Sequence, residues 1–203
     1  MISTQVAYFA DLGSKLILVL LFAASFFVVA FYVERKLFFK KHFNSDISPL
    51  LKRLNSSEGK QDIETVLKSD RFTESEMVLK ALSNAKVNSG EKLLSTVSTE
   101  IDIEKKNWEK FLLYFATVGS NAPFLGLLGT VLGLMQSFSD LAFAARPDAK
   151  IAMAGISNAL ITTVAGIVIA IPSVIIYNSF SKKVANVSAN IKAVARTVAN
   201  TIF

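Results

Sequence analysis

Thr130, Thr162 and Thr163 are hydroxyl-bearing residues set in long stretches without a single charge. A threonine hydroxyl donates one hydrogen bond and accepts others, so it can hold water or a polar guest inside an apolar wall. Without a base it is not a nucleophile, and no Asp, Glu, His, Lys or Arg occurs in residues 16–33, 111–139 or 151–181. Intramembrane hydrolysis by a Ser-His or paired-Asp arrangement is therefore excluded in these stretches. The chain has no cysteine and one histidine, His42, so disulfides, thiolate chemistry and a multi-His metal site within one chain are excluded as well. His42 lies in Lys40-Lys41-His42-Phe43 and is expected to be a solvated interfacial ring. No catalytic residue, metal or cofactor is expected.

The three uncharged stretches are 18, 29 and 31 residues long. Roughly 20 apolar residues cross a hydrocarbon core, and a charge at its centre is costly. The elements that must position the threonines are therefore transmembrane helices. The expected order is an N-terminal segment 1–15, span one 16–33, a helical segment 34–110, span two 111–139, a short loop 140–150, span three 151–181 and an amphipathic tail 182–203. The fold class is an all-α membrane protein with three transmembrane helices. Residues 16–33 are read as a retained span, because Lys15 is a poor basic flank for a signal peptide and Glu34-Arg35-Lys36 resembles a stop-transfer boundary.

The net charge of +6 is not spread evenly. Residues 34–110 carry 15 Lys/Arg against 13 Asp/Glu, while the tail carries Lys182, Lys183, Lys192 and Arg196 with no acid. The N-terminal segment and the 140–150 loop balance at three of each sign. Positive flanks mark the cytoplasmic side, so the N-terminus and the 140–150 loop are expected outside, with 34–110 and the tail inside. Acids dilute the basic residues where they are densest, so nucleic-acid binding is not expected.

Helical periodicity continues beyond the spans. Leu93, Leu94, Val97, Ile101, Trp108 and Phe111 recur near every 3.6 residues, with no Gly or Pro before span two. This predicts one helix from about Glu91 to Ser137, about 70 Å long at 1.5 Å per residue. Val184, Val187, Ile191, Val194 and Val198 likewise form a stripe that extends span three. Both long helices are expected to project into the cytoplasm. Shorter amphipathic pieces are expected at Ile47–Leu54, Ile63–Leu67 and Glu74–Val87, with turns at 56–59 and 88–90.

In span two, Gly119, Pro123, Gly126, Thr130, Gly133 and Ser137 share one helical face. In span three, Gly155, Ala159, Thr163, Gly166, Ala170 and Ser173 share another, with Thr162 at its edge. Small residues let helices approach closely in a bilayer, as at Gly129-x-x-x-Gly133. The faces could simply pack helices together, or a ring of them in an oligomer could line a pore through Thr130, Thr162 and Thr163. Periodicity leaves both readings open. An ion pump normally keeps an ionisable group at membrane depth. If ions move here, the titrating group belongs to another chain.

Residues 121–131, Asn-Ala-Pro-Phe-Leu-Gly-Leu-Leu-Gly-Thr-Val, resemble the second-span signature of the ExbB/TolQ/MotA proton-channel family. Residues 159–166 and 171–178 are similar to its third span. The resemblance is closest to ExbB, with TolQ second; MotA-type subunits have a fourth span. It implies an inner-membrane ring, a pentamer in the family, around an ExbD/TolR-type single-span partner. That partner's intramembrane Asp carries the proton, and the complex energises a TonB- or TolA-type protein. Thr130 and Thr163 match the pore-facing threonines, and Pro123 and Pro172 match the helix-bending prolines. Asn158 stands where most ExbB and TolQ sequences carry a Glu, and an amide cannot titrate.

Overall fold

The computed structural model describes residues 2–43, 46–57, 59–84, 87–143 and 149–203. All regular structure among them is helical: α1 (Ile2–His42), α2 (Ser48–Asn55), α3 (Lys60–Ser69), α4 (Thr73–Leu82), α5 (Gly90–Trp108), α6 (Leu112–Phe143) and α7 (Ala149–Ile202). Three helices are long and apolar enough to cross a membrane, over Tyr8–His42, Leu112–Phe143 and Met153–Ile202. The first contains the whole of one charge-free stretch, and the other two contain all but the first one or two residues of theirs. Residues 144–148 of the expected 140–150 loop, Glu58 of the first expected turn and residues 85–86 of the Glu74–Val87 piece lie outside the described residues.

The chain divides into two compact units. The first comprises residues 1–32 and 111–178, and the second comprises 33–110 and 179–203.

The first unit is built from α1, α6 and α7. Ile17 and Leu21 of α1, Ala122 of α6 and Ala170 of α7 form its buried apolar cluster, with Val118, Leu125, Leu132, Ala165 and Ile169 packed around it. Tyr114 Oη donates to the Ala24 carbonyl at 3.0 Å, tying α6 to α1. The remaining surface is strongly apolar: Phe22, Phe26, Phe124, Leu127, Ile161, Val164 and Val168 are exposed. Such a surface suits lipid or further subunits rather than water.

In the second unit the amphipathic pieces fold as short helices. Leu50, Leu54, Ile63, Leu67, Val78, Leu82, Leu93, Val97, Ile101 and Trp108 are buried. The tail stripe Val184, Val187, Ile191, Val194 and Val198 is buried in the same unit. Gly59 precedes α3 with φ +94° and ψ 166°, a backbone conformation essentially confined to glycine. Ser89 caps α5, its hydroxyl accepting from the Lys92 backbone N–H at 3.3 Å. Gly90 lies against Ala199, where an added Cβ would sit 3.2 Å from the alanine methyl.

The expected single helix from Glu91 to Ser137 does not form. The chain breaks at Glu109–Phe111 and restarts at Leu112. Two interactions account for the break. Arg35, only 2% exposed, donates from its guanidinium to the carbonyls of Asn107 (3.0 Å) and Trp108 (3.4 Å), which caps the end of α5. Phe111 takes a left-handed φ of 66°, and its ring stacks on Phe31 at 4.0 Å between centroids. Stacking offsets the backbone cost, since such aromatic pairs contribute about 0.5–1.5 kcal/mol beyond burial. No local sequence signal for a break exists, because the partners come from α1.

Arg35 is itself held by a two-pronged pair with Glu34, at 2.5 and 2.7 Å, and by the Phe38 ring at 4.4 Å. Arg35→Ala should lower unfolding stability by about 2 kcal/mol, since it leaves terminal carbonyls unpaired and removes a charged donor. Denaturant titration of helicity in detergent measures this. A change below about 0.5 kcal/mol, the usual range for a surface substitution, would contradict the capping role.

Candidate functional site

The two small-residue faces meet each other within one chain. An added Cβ on Gly126 would lie 2.7 Å from the Thr162 carbonyl oxygen and 3.0 Å from Thr163 Cα. One on Gly166 would lie 2.5 Å from the Ala122 oxygen, and one on Gly133 would lie 2.7 Å from the Ala159 Cβ. Farther along, Gly129 faces Thr162, Gly155 faces Ser137, and Gly119 faces Val174 and Ala170. Residue numbers rise on α6 as they fall on α7, so the helices are antiparallel and packed backbone to backbone. Glycine is required at 126 and 166 because the opposing atoms are main chain, which cannot rotate away.

Pro123 and Pro172 lie inside α6 and α7. Each lacks an N–H, so the carbonyls of Gly119 and Val168 lose their usual i+4 partner. Both helices nevertheless run on through the prolines. Pro123 is half-buried and Pro172 exposed.

The three threonines come together at the centre of this seam. Thr130 Oγ1 lies 3.2 Å from the Gly126 carbonyl, 3.2 Å from the Ala159 carbonyl and 3.2 Å from Thr162 Oγ1. It also touches Thr163 Oγ1. Thr162 Oγ1 donates to the Ala159 carbonyl at 2.7 Å and lies 3.1 Å from that of Gly126, while Thr163 Oγ1 is 3.2 Å from the latter. Seven oxygen–oxygen contacts are thus served by three hydroxyl protons, and each hydroxyl donates only one bond at a time. Several hydrogen-bond arrangements therefore share one set of heavy-atom positions, and the direction of donation can reverse without repacking.

Thr130 is 8% exposed and Thr162 only 2%, whereas Thr163 is half-buried. The expected order of the span-three pair is thus reversed. Thr162 sits at the heart of the packed face and Thr163 at its edge, because one face of period 3.5 can be phased on either residue of an adjacent pair.

Beside the seam the first unit holds a polar cleft of about 340 Å³. Asp11, Ser14 and Lys15 of α1, Gln136 and Asp140 of α6 and Asn158 of α7 line it, and it reaches down to Gly129, Ala159 and Thr162. Lys15 pairs with Asp11 at 2.7 Å, and Gln136 Nε2 donates to Asp140 at 2.8 Å. Gln136 Oε1 is shielded and accepts no hydrogen bond among the described residues. Such an oxygen is suited to water, provided the cavity is roomy and polar, as this one is. Exposed Asn158 therefore faces other polar groups instead of lipid. Sequence reasoning singled out Asn158 but missed Asp11, Gln136 and Asp140 as its neighbours. The available signal was two polar pairs at i,i+4 spacing next to the ends of charge-free stretches.

Among the described residues no group of three or more His, Cys, Asp or Glu could hold a metal. The chemistry on offer is hydrogen bonding and ion–dipole contact along a hydroxyl-lined seam.

Comparison with known proteins agrees with this architecture. The model of the MotA/TolQ/ExbB proton channel family matches residues 69–193, which takes in α4 to α6 and most of α7. The ExbB-like 2 biopolymer transport protein of Helicobacter pylori is 47% identical over 74 residues, 36% of this chain and 49% of that protein. The biopolymer transport protein ExbB of Aquifex aeolicus is 41% identical over 100 residues, 46% of this chain and 68% of that one. The Tol-Pal system protein TolQ of Pseudomonas aeruginosa is 45% identical over 83 residues, 41% of this chain and 36% of that protein. The chain spans about half the length or less of the Helicobacter and Pseudomonas relatives. A family match over more than half of the chain, on a frame of three membrane-length helices, makes this chain a member of the MotA/TolQ/ExbB proton channel family.

Proposed function

We propose that this chain is an ExbB-like, ring-forming subunit of a complex driven by the proton-motive force in the bacterial cytoplasmic membrane. In this reading it is not an enzyme. It encloses an ExbD/TolR-type single-span partner and energises a TonB-type protein that serves outer-membrane transport. The N-terminus is periplasmic and the C-terminus cytoplasmic, as the charge map requires. The observation that carries the proposal is the threonine cluster at the α6/α7 seam in spans without ionisable residues. Hydroxyls can stabilise a passing cation or relay a hydrogen bond, but they do not hold a net proton at neutral pH. A partner carboxylate supplies what the seam lacks.

The polar cleft supports the same reading. It gives water a polar approach towards Thr162 beside Asn158, where the resemblance leads one to expect a Glu. With Asp11 and Asp140 lining the same cleft, it keeps carboxylates without one at residue 158. Pro123 and Pro172 act as bending points in the lining helices, and Gly126, Gly129, Gly133 and Gly166 keep the pair close. A pentameric ring buries part of the exposed apolar surface of α1, α6 and α7.

A TolQ-type role in the Tol-Pal system is the second reading, favoured by the 45% identity to a TolQ protein. A helix-packing scaffold is the alternative in which the threonines only fill space. Affinity purification from native membranes should bring down a small single-span protein with an intramembrane Asp. The TonB- or TolA-type protein co-purifying with it separates the two motor roles. Recovery of the chain with no such partner would contradict the proposal.

A further inference from the structure

A second cleft, of about 610 Å³, lies within the other unit, between the end of α1 and α7. Its rim carries three ammonium groups, Lys36, Lys40 and Lys183, and its floor carries Phe39 and Phe43, both buried. Asn186 and Asn190 add amide donors, and no acidic residue lines it. Lys36 and Lys40 are one helical turn apart, as are Lys183 and Asn186, so α1 presents two ammoniums and α7 one ammonium and an amide to the same space. Lys183 also lies 5.5 Å from the Phe180 ring centroid, which steadies its ammonium.

Register along each helix fixes where this cleft stands. Lys36 comes three residues after Val33, the last uncharged residue of the first stretch, and Lys183 comes two after Ser181, the end of the third. At 1.5 Å per residue both ammoniums reach the headgroup layer, within about 5 Å of the end of the apolar run. The aromatic floor suits glycerol and the first methylenes of an acyl chain.

We propose that this cleft binds the headgroup of an anionic phospholipid of the inner leaflet, with the phosphate among Lys36, Lys40 and Lys183. The inference rests on the membrane-spanning orientation, not on the motor role. Juxtamembrane lysines attract anionic lipid, and a multi-cation cleft with an apolar floor favours a lipid over a small soluble anion.

Native mass spectrometry of the purified full-length chain, with phosphatidylglycerol or phosphatidylethanolamine added, tests this. Wild type should retain phosphatidylglycerol about tenfold more tightly than phosphatidylethanolamine or better. The triple variant K36Q/K40Q/K183Q should lose that preference with its helicity intact. A variant with the same charge change elsewhere, K60Q/K68Q/K92Q, should keep it, and so should K36R/K40R/K183R if the triple Gln variant does not fold. Inorganic phosphate at millimolar concentration should not displace the lipid. Unchanged selectivity in K36Q/K40Q/K183Q, loss of it in K36R/K40R/K183R, equal retention of the two lipids, or displacement by phosphate would overturn the proposal.

Discussion

Gly126→Leu should separate α6 from α7 and abolish assembly of the first unit. At this position the α7 backbone lies opposite: the Thr162 carbonyl oxygen at 2.7 Å, Thr163 Cα at 3.0 Å and Gly166 Cα at 3.3 Å from the place of a Cβ. A side chain can be absorbed when it meets another side chain with rotamer freedom. Here it meets main chain, so the helices must part along the whole register from Ala122 to Gly133. Overpacking a close-packed core costs about 1–3 kcal/mol, and a branched side chain against backbone belongs at or above the top of that range. Parting the helices also breaks the contacts of Thr130 with the Ala159 carbonyl and with Thr162. Leu127→Ala one residue away, on the exposed face, should change stability by about 0.5 kcal/mol or less. Thermal unfolding in detergent gives both numbers. A Gly126→Leu protein as stable as wild type would refute the backbone-to-backbone seam.

Thr130→Val and Thr163→Val should separate conduction from stability. Valine matches threonine in shape but not in chemistry, so packing survives and a donor–acceptor is lost. Thr162 retains its 2.7 Å bond to the Ala159 carbonyl, so the seam should lose only about 1 kcal/mol. If a cation passes the cluster, the loss bears on a charged species. Hydrogen bonds to charge are worth about 1.5–3 kcal/mol, equivalent to about tenfold to a hundredfold in rate. Energised outer-membrane transport should therefore fall by at least about tenfold while the unfolding midpoint barely moves. Gly126→Leu is damaging in either reading, so the threonine variants discriminate: in a scaffold both would be silent. Full transport activity in Thr163→Val would remove Thr163 from the proposed path.

The membrane helices were legible because charge is expensive in hydrocarbon. The gaps 16–33 and 151–181 fall inside α1 and α7, the gap 111–139 falls inside α6 apart from Phe111 at the break, and the tail stripe from Val184 to Val198 is buried as its spacing demands. What spacing could not supply was the identity of the partner surface. The small faces of α6 and α7 show that close packing is possible, yet only the register of Gly126 on Thr162 and Gly166 on Ala122 shows that they pack on each other. The phase of Thr162 against Thr163 is a related limit, since adjacent residues differ by only 100° on a helix. The break at Glu109–Phe111 was invisible for a different reason: Arg35 and Phe31, which hold the two sides of it, lie more than 70 residues away in sequence. The Asp11–Gln136–Asp140–Asn158 cleft was hidden likewise, because it combines three helices whose polar ends look like ordinary boundaries.

In the proposed function this chain lines an ion path and leaves the titrating carboxylate to a partner. Proton flux into liposomes under an imposed pH gradient tests this most directly, measured for the chain alone and for the chain reconstituted with the proposed single-span partner. The chain alone should give no flux above the empty-liposome rate. Flux should appear with the partner and be lost when the partner's intramembrane Asp is changed to Asn. Proton conduction by the chain alone would contradict it.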